Sequence, residues 1–268
     1  MEMNIDVSER FASFLTDWDY KQYLLIGGYG SGKSYNIALK IILKLMQEKR
    51  TALVVRNVMA TIKESCFSLF KEILTKMDML SATTDNRNKN KDGKIIAVQS
   101  PMEIRFPNGS RIIFRGMDNT EKIKSIHGVS IVWMEECSEL KYEAYKELLG
   151  RVRQPNVTLH FILSCNPVGK ENWVYDRFFV HIDEKGKEHT ICNEKRFYKK
   201  KTMVVNGVYY HHSLPDDNPF LPVSYITTLE ELKTYDPYLY TVARWGRFGA
   251  SGKRVLPQFT VAQNAKQF

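Results

Sequence analysis

The chain has 268 residues, 43% hydrophobic and 12% aromatic, with a formal net charge of +9. That length and apolar content fit one large α/β domain with a smaller appendage, and the charge favours a polyanionic partner. No apolar run approaches the ~20 residues of a membrane span, and Met1-Glu2-Met3-Asn4-Ile5-Asp6 lacks the basic and apolar regions of a signal peptide.

In chain order, the first strong element is a short apolar strand that runs into Gly27-x-x-x-x-Gly32-Lys33-Ser34. An amphipathic helix follows, with Ile37, Ile41, Ile42, Leu45 and Met46 on its apolar face. Strand, glycine-rich turn and helix form the setting a P-loop requires. Gly27, Gly28, Gly30 and Gly32 let the backbone bring its N–H groups up to phosphates, with Tyr29, Ser31 and Tyr35 beside them. The helix N-terminus adds donors, Lys33 would reach the β- and γ-phosphates, and the Ser34 hydroxyl would sit on Mg²⁺. A nucleoside triphosphate with Mg²⁺ is therefore the expected ligand. Trp18, Tyr20 and Gln22, just before the strand, could line an adenine pocket, and ordinary core packing explains them equally well.

Thr51–Arg56 reads as a buried strand, and Ile62, Phe67, Phe70, Leu74 and Met77 space a helix over roughly 61–80. Residues 84–94 are polar and read as an exposed loop. Residues 104–106 and 111–115 read as a β-hairpin whose Asn108-Gly109 turn supplies positive φ angles. A strand over 130–134 leads into Glu135-Glu136, followed by a helix over 138–149 with Ser138 as its cap. A strand over 158–163 leads into Ser164-Cys165-Asn166-Pro167. Strands alternating with helices imply a mainly parallel sheet. From about residue 168 to 250 the chain becomes aromatic and basic, with Lys195, Lys199, Lys200 and Lys201 in one patch and helices over 222–234 and 237–245. This segment reads as a smaller subdomain after a core of residues 1–167. Cys66, Cys137, Cys165 and Cys192 form no C-x-x-C pair, so reduced buried thiols are expected.

An NTPase needs an acidic group in the Mg²⁺ shell and a base for the attacking water. Neighbouring residues at a strand end point in different directions. Glu135 is accordingly assigned to the metal and Glu136 to polarising water. Ser164 and Asn166 end the next strand, where they could bond the γ-phosphate or its water; a plain Asn-Pro turn is the alternative.

Several of these segments resemble bacteriophage terminase large subunits in identity and order. They are Gly27–Ser34, the Pro-Asn-Gly-Ser hairpin, Gly116–Ser125, Ile131–Glu136, Arg151-Val152-Arg153, Asn166-Pro167, Asp217–Pro222 and Trp245-Gly246. The closest likeness is to the group typified by defective prophages, over residues 20–250. The resemblance implies a RecA-like P-loop ATPase with an added strand and a small C-terminal lid or linker subdomain. It implies an activity that drives double-stranded DNA into a procapsid in the host cytoplasm. The implied partners are the portal protein, a terminase small subunit and further copies in a ring, with no membrane. In the family a C-terminal nuclease follows; here residues 251–268 read as a stub leading towards it. The family often carries Arg at the third P-loop position, where this chain has Tyr29. That leaves Arg56, Arg115, Arg151 and Arg153 as candidates for a charge-stabilising arginine, in cis or in trans. A helicase-like ATPase would need a second core or further motifs, and a GTPase switch would need a guanine-reading motif. Asn88–Lys91 lacks the aspartate of such a motif.

Overall fold

The structure, a computed structural model, describes residues 5–82, 93–117 and 127–249. In chain order its regular elements begin with α1 (Ala12–Thr16), β1 (Gln22–Gly27), α2 (Lys33–Gln47) and β2 (Thr51–Arg56). Then come α3 (Met59–Ile62), a wide π-type turn (Lys63–Phe67), α4 (Ser68–Lys76), β3 (Ile96–Gln99), β4 (Met102–Arg105) and β5 (Arg111–Gly116). The middle of the chain supplies β6 (Ile131–Glu135), α5 (Tyr142–Arg151), β7 (His160–Cys165) and α6 (Trp173–Phe178). The last third supplies β8 (Val180–Ile182), β9 (Glu188–Thr190), α7 (Glu194–Lys200), β10 (Thr202–Val205), β11 (Val208–Ser213), α8 (Val223–Tyr235) and α9 (Pro237–Trp245).

Among the described residues, nine strands form one sheet in the order β10-β11-β1-β7-β6-β2-β5-β4-β3. The inner pairs, from β11-β1 through β2-β5, are parallel, and the flanking pairs are antiparallel. β1, β2, β6 and β7 are nearly continuous apolar runs because helices cover both of their faces. Side chains alternate between those faces. Leu25, Val54, Trp133 and Ile162 pack with α2 and α4 on one face. Leu24, Leu53, Val132 and Leu163 pack with α5 and α6 on the other.

Several expectations change. The boundary at residue 167 cuts through the sheet, because β11 pairs with β1 from Gln22↔Val208 to Gly27↔Ser213. Ser138 does not cap α5. It lies in a 3₁₀ turn, Cys137–Glu139, and α5 begins at Tyr142 without a side-chain cap. In the β4-β5 loop only Gly109 has positive φ, +83°. Asn108 instead accepts the Ser110 N–H at 2.9 Å and donates to the Leu45 carbonyl at 2.7 Å, fastening the loop to α2. The helix expected over 61–80 runs from 59 to 76 through the wide turn. All four cysteines are buried free thiols. Residues 84–92 of the loop expected over 84–94, residues 118–125 of the Gly116–Ser125 segment and the stub 251–268 lie outside the described residues. No described helix is long and apolar enough to cross a membrane.

Candidate nucleotide-binding and hydrolysis site

The site sits at the carboxyl ends of β1, β6 and β7. β1 ends at Gly27, and α2 begins at Lys33 directly after Gly32, whose φ is +85°. The turn between them is gripped from behind by the last third of the chain. The Gly28 N–H donates to the Ser213 carbonyl at 3.0 Å, and the Tyr29 N–H donates to the Ala243 carbonyl at 2.8 Å. Ser213 Oγ donates to Ser31 Oγ at 3.0 Å, and Asn218 Nδ2 donates to the Gly30 carbonyl at 2.6 Å. A Cβ on Gly28 would fall 2.4 Å from the Ala243 carbonyl oxygen, so only glycine fits this close approach.

Lys33 is buried and curls back over the turn. Its Nζ donates to the Gly27 and Gly28 carbonyls, to Ser31 Oγ and, at 2.9 Å, to Asn166 Oδ1. Burial pulls its ammonium below the usual lysine range, while Glu136 opposes that shift. Ser34 Oγ donates to Glu135 Oε1 at 3.0 Å. Glu135 is the last residue of β6 and shares the α2 face with Trp133, as the strand alternation requires. Burial pushes its carboxyl above the usual range, and the Arg56 guanidinium, with Nε 3.3 Å from Oε2, pulls the other way. That ion pair lacks hydrogen-bond geometry, and Oε2 is buried without a hydrogen-bond partner among the described residues. A hydroxyl and an incompletely satisfied carboxylate side by side fit a hard cation that takes its remaining ligands from phosphate and water.

Glu136 leaves the strand in the left-handed region, with φ +50° and ψ +51°. Its carboxylate turns to Asn166, whose Nδ2 donates to Oε1 at 3.2 Å and whose backbone N–H donates to Oε2 at 3.4 Å. Burial, aided by the Glu135 charge, pushes the Glu136 carboxyl up to about 7. Asn166 thus joins Lys33 to Glu136. Ser164 does not join this group: it is buried on β7 and its hydroxyl accepts the Trp133 indole N–H at 2.9 Å.

Gln22 begins β1, whose length is roughly 17 Å at ~3.3 Å per residue, so it and the preceding Trp18 and Tyr20 lie at the opposite end of the strand from the P-loop. Trp18 packs on Tyr23 and His160, and Tyr20 on Tyr23 and Tyr209, while Gln22 accepts from Tyr145. They belong to the core. A cavity of about 670 Å³ lies at the correct end instead, beside Gly32, Tyr35 and Asn36. Ile5, Val7, Ile73, Met77 and Phe220 give it apolar walls. Gly32 and Tyr35 were marked in the sequence; the apolar walls were not, since they meet from distant segments.

The family model for the phage terminase large subunit matches residues 20–247. The chain belongs to that family. It is 48% identical over 256 residues to the PBSX phage terminase large subunit of Bacillus subtilis (strain 168), covering 96% of this chain and 56% of that protein. The chain therefore spans just over half the length of that relative. Among solved structures, the large terminase of the thermophilic bacteriophage D6E in complex with ADP superposes with a TM-score of 0.65 at 12% identity, covering 91% of this chain and 54% of that one. The large terminase ATPase domain of Thermus phage P74-26 gives a TM-score of 0.59 at 13% identity, covering 88% of this chain and 91% of that one. At such identities these likenesses establish the fold: a mainly parallel α/β sheet flanked by helices, of the large-terminase ATPase type.

Proposed function

We propose that the chain is the ATPase portion of a terminase large subunit, hydrolysing Mg·ATP to move double-stranded DNA into a procapsid. The observation that carries this reading is the chain of contacts Glu135–Ser34 and Lys33–Asn166–Glu136 at the mouth of one P-loop. Lys33 binds and offsets charge on the β- and γ-phosphates. Glu136, kept basic near neutrality by burial, takes the proton of the attacking water. Asn166 orients Glu136 and carries the state of the γ-phosphate side to Lys33. Ser34 and Glu135 would hold Mg²⁺, which supplies neutralisation of phosphate charge and a template for the substrate. The apolar cavity beside Tyr35 takes the adenine ring. Ser164 acts by fixing Trp133 behind Glu135 rather than by touching phosphate.

The D6E terminase in complex with ADP supports nucleotide recognition on this fold. The packaging role entails a portal protein, a terminase small subunit and further copies of the chain in a ring as partners in the host cytoplasm. The α8-α9 hairpin serves as a lid, since Leu221 and Tyr225 pack against Gly30. The test is phosphate release with and without DNA and portal-bearing procapsids. Stimulation by both is expected. Hydrolysis indifferent to both would remove the packaging assignment and leave a plain NTPase.

A further inference from the structure

Phosphoryl transfer leaves negative charge on the γ-phosphate oxygens, and one well-placed arginine raises turnover by ~10³–10⁵. Gly27–Ser34 contains one cation, Lys33, and Tyr29 stands among its glycines. Strand parity separates the arginines that sequence leaves open. On β2, Ala52 and Val54 pack with α2, whereas Leu53 and Val55 face α5. Arg56 continues the first set and so projects on the P-loop-helix side. Val55 pairs with Met134, which brings Arg56 next to Glu135. Its Nε lies 3.3 Å from Glu135 Oε2, and Glu135 Oε1 holds the Ser34 hydroxyl at 3.0 Å.

The other arginines are excluded in cis. On β5, Ile112 and Phe114 face α2 while Ile113 faces α5, so Arg115 projects on the far side, where its Nη1 donates to the Phe114 carbonyl at 2.7 Å. Arg151 and Arg153 end or follow α5 on that same far side, and Arg151 pairs with Glu147. Arg244 lies close behind the P-loop but is chelated by Asp216 and Glu230. The side chain of Arg56 is 21% exposed and its carboxylate contact lacks hydrogen-bond geometry, so it can swing. The wide turn Lys63–Phe67 walls this side: its buried Cys66 thiol feels both the Glu135 and Arg56 charges.

We propose that Arg56 is the cis arginine of this site: it neutralises Glu135 in the absence of nucleotide and turns to the γ-phosphate when Glu135 enters the Mg²⁺ shell. The proposal rests on the ATPase reading above. It is tested on the 268-residue chain by titrating fluorescent ADP and a non-hydrolysable fluorescent ATP analogue, each with Mg²⁺, and by measuring turnover. Arg56→Gln should weaken the triphosphate by at least ~10-fold, as loss of a charged hydrogen bond does, and ADP by no more than about twofold. Turnover should fall by at least ~100-fold. Arg56→Lys should retain part of the triphosphate preference. Equal weakening of both nucleotides in Arg56→Lys, or an unchanged triphosphate preference in Arg56→Gln, overturns the proposal. Lys33→Ala separates the two readings. If Lys33→Ala is inactive and Arg56→Gln is not, the ATPase reading stands and the Arg56 proposal falls.

Discussion

Glu135 and Glu136 are adjacent and chemically unlike because the backbone separates them. Glu135 completes a strand and looks along the sheet face to Ser34. Glu136 takes the left-handed conformation, an unfavourable place for a non-glycine residue, and looks to Asn166. Glu136→Gln keeps the shape and one of the two Asn166 bonds but has no base. It should bind nucleotide normally while turnover drops ~10²–10⁴-fold, read by equilibrium binding and phosphate release on the same preparation. Normal turnover in Glu136→Gln together with loss in Glu135→Gln would mean that the two roles are exchanged. The raised Glu136 carboxyl also sets a pH dependence. The base form dominates above about 7, so kcat/KM should climb as pH rises towards that value and level off beyond it. The sign for stability is opposite. Unfolded Glu136 ionises near ~4.3, whereas the folded state holds its proton until about 7, so ionisation destabilises the fold progressively across that window. In urea titrations Glu136→Gln should therefore gain on the wild type from pH 5 to 7. Lys33→Ala should abolish turnover and leave the circular dichroism spectrum unchanged; near-native turnover would refute the P-loop assignment.

Among elements, the P-loop turn depends on segments nearly two hundred residues away. Ser213 at the end of β11 and Ala243 in α9 accept its N–H groups, and their carbonyl oxygens leave no room for a side chain at Gly27 or Gly28. Gly28→Ala should thus push β1 away from α9, cost roughly 1–3 kcal/mol of stability and weaken nucleotide binding. A melting temperature and nucleotide affinity equal to wild type would show that the turn tolerates the displacement. β1, β2, β6 and β7 were legible in the sequence because strands buried on both faces must be apolar runs. The P-loop was legible because its glycines and lysine are fixed by spacing. β11 was not: Val208–Ser213 carries His211, His212 and Ser213, all buried, and reads as polar until its pairing with β1 is known. The same holds for the cavity beside Tyr35, built from Ile5 and Val7, from α4 and from Phe220, which no local pattern links. Ser164 was read as a contact to the γ-phosphate or its water, with a plain turn as the alternative; its hydroxyl accepts the indole N–H of Trp133, one strand away. Pairing between distant segments decided each of these cases, and residue spacing does not encode it.

At the scale of the whole molecule, charge and assembly remain to be connected to the site. The basic patch is sharper in three dimensions than in sequence. Lys201 leaves it, since its Nζ is tied to Asp217 at 2.9 and 3.2 Å. Arg196 joins it: Lys195, Arg196, Lys199 and Lys200 are exposed on α7, at spacings that keep them on one side of the helix, with no acidic partner among the described residues. Phe197 anchors the opposite side in the core. Glu194, on the same helix, is engaged with Lys170, and Asp217 with Lys201. Four unpaired cations on one small helix suit sequence-independent contact with a phosphate backbone, and such contact releases counterions. Each phosphate contact contributes about 0.9 to the slope of log affinity against log salt on duplex DNA. Replacing all four by Gln should therefore flatten the slope by up to ~3–4 while leaving basal hydrolysis unaltered, because none touches the nucleotide site. An unchanged slope would take α7 out of the DNA path. Ser213 ends β11 and Asn218 follows it, so DNA bound at α7 would be connected through β10 and β11 to the P-loop turn. The isolated chain should accordingly hydrolyse ATP slowly and accelerate when DNA is added at low salt. The quadruple variant should lose that acceleration, and a variant that is still stimulated fully would sever the link between this helix and the motor.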